Sequence, residues 1–121
     1  MNAADQRNRR RRQRYADEAT EVVLRGPERL DGEPRELLDY SRDGLAFAHD
    51  EALDPGIVLE LEVDSGELHV TGIPALVCDC TVRGEGFRIG VAFAPERLGD
   101  DAATRLCEGL HRLENILERR I

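Results

Sequence analysis

Alternation of apolar and polar residues with a period of two constrains this chain most. Ile57, Leu59, Leu61 and Val63 fall on one side of an extended segment whose other side carries Glu60 and Glu62. Phe87, Ile89, Val91 and Phe93 repeat the pattern thirty residues later. Turn signals separate such segments: Arg42-Asp43-Gly44, Asp64-Ser65-Gly66 and Gly84-Glu85-Gly86. The spacing predicts strands over residues 20–25, 35–41, 44–49, 57–63, 68–82 and 87–93. The long 68–82 segment should bend near Gly72 and Pro74, since glycine and proline inside a strand mark bulges. Gly26-Pro27 and Asp31-Gly32 bracket the turn after the first strand. Six or seven short strands so closely spaced form a small antiparallel barrel.

Near the C-terminus the period changes. Leu106, Leu110, Leu113 and Leu117 recur at steps of four, three and four, the stripe of an amphipathic helix over about 101–120. Asp100 and Asp101 suit its N-terminal turn, where the helix dipole favours negative charge. Two uses of the stripe are open: it caps the open end of the barrel, or it pairs with another copy as a short coiled coil. The expected molecule is a monomer or small homo-oligomer. At 121 residues the chain holds one domain, with an arm over 1–14 and the barrel and helix over 15–121.

The charge is unevenly placed. Residues 1–14 hold six Arg and one Asp, a net of +5, whereas the rest holds 11 Arg and 24 acids, a net of −13. An acidic body repels a long polyanion, so no nucleic-acid partner is expected, although the arm can grip a compact anion. A small RNA-binding barrel is the reading this disfavours, and the scarcity of aromatic residues disfavours it further. No apolar run is long enough to span a membrane, and the arginine tract is followed by no signal-peptide core. Three cysteines, an odd number, fit a reducing cytoplasm. Strand alternation puts Cys78 and Cys80 on one face with Leu76, where they read as core packing, and Cys107 beside Leu106 reads as core edge. His49, His69 and His111 are scattered and assemble no nucleophile and base, so neither catalysis nor a metal or other cofactor is expected.

Two clusters carry recognition chemistry. One is the run Arg9-Arg10-Arg11-Arg12-Gln13-Arg14, and the other is Asp39-Tyr40-Ser41-Arg42-Asp43-Gly44 at a strand–turn–strand junction. An arginine fork donates parallel hydrogen bonds to a phosphate or to the O6/N7 edge of guanine, and stacks on a purine. Asp39 is suited to accept from guanine N1–H and N2–H2, and Ser41 can donate to phosphate. Gly44 should adopt a positive φ and let a ligand approach the backbone. A bland reading stays beside this one: a solvated basic tail, and a turn held by its own side-chain hydrogen bonds.

Arg10-x-x-x-Arg14 followed by Asp39-x-Ser41-x-x-Gly44 resembles the paired RxxxR and (D/N)xSxxG signature of PilZ domains. The stretch Gly-Phe-Arg-Ile-Gly-Val-Ala-Phe over 86–93 is similar to that family's late barrel strand. The resemblance implies a six-stranded antiparallel β-barrel with a C-terminal helix, and a receptor for cyclic di-GMP. By carry-over, Arg10 and Arg14 contact guanine and phosphate, Asp39 and Ser41 hold a guanine, and Gly44 shapes the turn. Arg9 matches a position that favours an intercalated dimer of the ligand. Arg7 and Arg11 share the four-residue spacing; Arg14, nearest the first strand and followed by Tyr15, sets the preferred register. The implied output is an arm that closes on the ligand and changes the surface shown to an unknown downstream protein. The alternative is a degenerate adaptor of the same fold that works through protein contacts without nucleotide.

Overall fold

A computed structural model describes residues 20–26 and 33–120. Six strands form it: β1 Glu21–Gly26, β2 Pro34–Tyr40, β3 Gly44–His49, β4 Val58–Asp64, β5 His69–Arg83 and β6 Gly86–Phe93. A 3-10 turn over Pro95–Arg97 leads into one helix, α1, Asp100–Arg119. All neighbouring strands are antiparallel, and the sheet closes in the order β1-β2-β3-β6-β5-β4. Closure gives each strand a neighbour on both sides, which limits the edge available for edge-to-edge association.

Period-two residues fill the interior. Leu59, Leu61 and Val63 from β4 meet Ile73, Ala75 and Val77 from β5 and Phe47 and Ile89 from β3 and β6, all 2% exposed or less. With Trp absent and aromatics few, aliphatic side chains carry most of this burial. The expected bend in β5 is a bulge: between the Leu61–Ile73 and Val63–Val70 pairs, β5 has one residue more than β4, and Gly72 there has φ +65°. That backbone conformation is open to glycine and strained for other residues.

The leucine stripe of α1 caps the barrel. Leu106, Leu110, Leu113 and Leu117 are buried in the same core as the strands. The Tyr40 hydroxyl, fully buried at the end of β2, donates to the Leu110 carbonyl at 2.9 Å. At the far end of the helix Arg120 donates to the Ser65 carbonyl at 2.9 Å, in the β4–β5 turn. The helix thus covers the end of the barrel where β2 finishes and β1 begins, since Glu21 lies opposite Asp64.

The cysteine expectations need correction. Cys78 is exposed on the same face as Leu76, itself 37% exposed, because Ile73, Ala75 and Val77 form the inward face of this part of β5. A second bulge in β5, between Val77 and Asp79, then breaks the alternation. Beyond that bulge Cys80 turns partly inward against the core and Asp79 turns outward. Cys107 is also exposed, because the buried stripe of α1 runs through Leu106 and Leu110.

Candidate functional site

The junction singled out in the sequence forms part of a groove on the outer wall of the barrel. Asp39, Ser41 and Gly44 line it together with Asp43, Ala46, Asp79, Arg88 and Gly90, around a volume of about 270 Å³. β2 and β3 are joined by a tight turn at Arg42-Asp43, closed by the Ser41 N–H donating to the Gly44 carbonyl at 2.9 Å. The Ser41 hydroxyl donates to the same carbonyl at 3.3 Å, a long bond whose rotor can turn toward a ligand.

Asp39 points outward for a local reason. Leu37 and Tyr40 both face the core, opposite Phe47 and Leu45 of β3. Strict alternation would send Asp39 to the same side as Leu37. β2 has one residue more than β3 between these pairs, so a bulge at Leu38 swings Asp39 to the outer wall. The bulge in β5 does the same for Asp79. Register then places Asp39, Ala46, Gly90 and Asp79 in one row across β2, β3, β6 and β5. Two carboxylates flank a floor of small residues.

Arg88, two residues before Gly90 on β6, bridges the carboxylates. It donates to Asp39 Oδ2 at 2.8 Å and lies 3.7 Å from Asp79 Oδ1. Sequence reasoning missed Arg88, Asp79 and Gly90. Arg88 and Gly90 were legible as residues between the inward Phe87, Ile89 and Val91, but their partners lie on β2 and β5, and no short motif joins them.

Gly44 differs from expectation. Its φ is not positive; among the described residues the glycines with positive φ are Gly56, Gly66, Gly72 and Gly84. Gly44 is required by close packing between strands: a Cβ there would overlap the Val91 carbonyl oxygen and lie 3.1 Å from Ala92 Cα. Arg9, Arg10 and Arg14 lie outside the described residues, as do Arg7 and Arg11 and most of the turn after β1.

Electrostatics around the turn also involve α1. Glu114 is buried on the helix, with Arg42 Nε 3.9 Å and His111 Nδ1 4.0 Å away. Burial, with the nearby Glu114 charge, pushes the Tyr40 phenol well above its ordinary range, which keeps it a neutral donor to the helix. On the opposite wall, the hydrogen bond from Arg25 holds Glu62 below the usual carboxylate range, with His69 assisting.

The interior is filled by side chains, and the polar groove is outside. This is a small helix-capped β-barrel domain with its candidate site on the outer wall. A family model of the PilZ domain matches residues 8–109, and the chain belongs to that family. PilZ domains are binding and adaptor domains, and in general receive cyclic di-GMP. No curated protein matches the chain. Among the described residues no helix is long and apolar enough to cross a membrane.

Proposed function

We propose that this protein is a receptor for cyclic di-GMP whose N-terminal arm closes over the groove and so alters the surface presented to a downstream protein. One observation carries the reading: Asp39, Ser41 and Gly44 gather at a single open groove beside the strand into which the arm leads. Asp39 supplies a carboxylate for a guanine N1–H and N2–H2 edge, Ser41 a hydroxyl for phosphate, and Arg10 and Arg14 cationic forks for guanine and phosphate.

Chain geometry supports the convergence. Glu21 lies opposite Glu36, three residues before Asp39 on β2, so roughly 10 Å of strand separates the start of β1 from the carboxylate. Arg14 precedes Glu21 by seven residues, which extended chain stretches over roughly 25 Å. The arm is long enough to cross the groove.

The energetics favour a switch. Each charge-assisted hydrogen bond contributes about 1.5–3 kcal/mol, and ordering a segment on binding costs about 2–5 kcal/mol. Four or five such contacts with purine stacking leave an affinity in roughly the micromolar range or better. Arg9 beside the paired arginines suits an intercalated ligand dimer. A second messenger of this kind acts in the bacterial cytoplasm, where the receptor would work without cofactor or catalysis.

Calorimetry with cyclic di-GMP tests the reading. Saturable binding that disappears in Arg14→Ala and in Asp39→Ala, and persists in Arg7→Ala, supports it. Loss in Arg7→Ala with retention in Arg14→Ala transfers the arm contact to Arg7 and Arg11. No binding by the unmodified protein refutes it.

A further inference from the structure

We infer that Arg88, braced between Asp39 and Asp79, is the positioning residue that gives the groove its selectivity for guanine. The inference rests on the receptor reading above and adds three residues to it that the signature motifs do not contain.

The brace is built by two separate irregularities. A bulge at Leu38 turns Asp39 outward and a bulge at Cys78 turns Asp79 outward, and the row of paired residues aligns them across four strands. Bulges concentrate where a side chain must be re-aimed at a binding surface. Between the carboxylates, Ala46 and Gly90 leave room for the Arg88 side chain to lie across the wall. Gly90 serves the brace as well: a Cβ there would come 2.7 Å from Asp79 Oδ1, into the space the carboxylate occupies.

Geometry explains how the brace selects. Guanine offers two parallel donors, N1–H and N2–H2, to a carboxylate presenting both oxygens in one plane. A partly exposed aspartate rotates about χ2, a broad torsion, and so presents that plane only part of the time. Arg88 takes one hydrogen bond at Asp39 Oδ2, which holds the plane and leaves Oδ1 and the remaining acceptor positions for the base. Asp79, 3.7 Å from the other arm of the guanidinium, holds the arginine in turn. A rigid planar fork presents its donors to the two carboxylates in fixed directions; an ammonium on a flexible stem can reach them but does not hold their planes.

The test compares cyclic di-GMP with cyclic di-inosine monophosphate, which lacks the 2-amino groups, by calorimetry on the full chain. The unmodified protein should prefer the guanine ligand by roughly 10- to 100-fold, the size of one lost charge-assisted hydrogen bond. In Arg88→Met and Arg88→Lys that ratio should fall below about threefold, while the inosine ligand still binds. Gly90→Ala, which displaces the end of the flexible Asp79 side chain, should lower the ratio in the same direction. Glu85→Gln, in the β5–β6 turn away from the groove, should leave it unchanged. Guanine binding with an unaltered ratio in both Arg88 variants overturns the inference and leaves the receptor reading standing, as does an unmodified protein that binds both ligands equally. Failure of the unmodified protein to bind either ligand removes both.

Discussion

Gly44→Ala separates two roles for one glycine. A ligand-facing glycine could accept a methyl group with little effect on folding and a large effect on affinity. The structure gives the opposite expectation. The new Cβ would overlap the Val91 carbonyl oxygen and sit 3.1 Å from Val91 C and Ala92 Cα. These are backbone atoms of β6, and Gly44 pairs directly with Ala92, so relief requires the β3–β6 ladder to part at this point. Overpacking of this kind costs about 1–3 kcal/mol, with backbone contacts at the upper end. For a domain near 100 residues, each kilocalorie lowers Tm by about 4–8 °C. Gly44→Ala should therefore melt roughly 12–24 °C below the unmodified protein without ligand, as read by circular dichroism. An unchanged Tm with abolished cyclic di-GMP binding would refute the packing argument and return Gly44 to a ligand-facing role.

Leu113→Ala, at a fully buried position where α1 plugs the barrel, should cost about 2–5 kcal/mol in denaturant unfolding, whereas an exposed helix would lose far less. Tyr40→Phe removes the hydrogen bond to Leu110 without leaving a cavity and should cost about 0.5–1.5 kcal/mol; no change would mean that the hydroxyl does not tie β2 to the helix. Stability should also fall at both ends of the pH scale. The folded-state pKa of Glu62 is depressed, so its contribution is complete above the ordinary glutamate pKa of about 4.3 and is lost as pH falls below it. That of Tyr40 is raised, so its contribution is complete below about pH 10 and is lost as pH rises further. Chemical denaturation across pH checks both limbs: Glu62→Gln should flatten the acid limb and Tyr40→Phe the alkaline one.

The contrast between β3 and β5 shows where sequence reading succeeds and where it stops. β3 follows its alternation without interruption, and its bounds at Gly44 and His49 are those the turn signals predict. The leucine stripe of α1 was equally legible, because burial at steps of three and four is a local property; whether it capped the barrel or met another copy needed the contacts of Tyr40 and Arg120. β5 was predicted as one long strand bent near Gly72, and glycine with proline marked that bulge. The second bulge, at Cys78, has no such residue. It arises from register against β6, a relation between strands, and so the facing of Cys80 and Asp79 could not be read along the chain.

The candidate site divides along the same line. Asp39, Ser41 and Gly44 were recognisable because they lie within six residues and share a motif. The reason Asp39 faces outward is a bulge at Leu38 that depends on pairing with β3. Arg88 reaches Asp39 across 49 positions of sequence and Asp79 across an adjacent strand, so its part in the groove emerged only from the closed sheet.

The central claim is that the outer wall spanned by β2, β3, β6 and β5 is where the nucleotide binds. Amide chemical-shift mapping of the ¹⁵N-labelled full chain during titration with cyclic di-GMP tests it directly. The account predicts saturable shifts at Asp39, Ser41, Asp79, Arg88 and Gly90, with Arg25 and Glu62 on the opposite wall unmoved. Saturable shifts confined to β1 and β4, or no shifts at all, would contradict it.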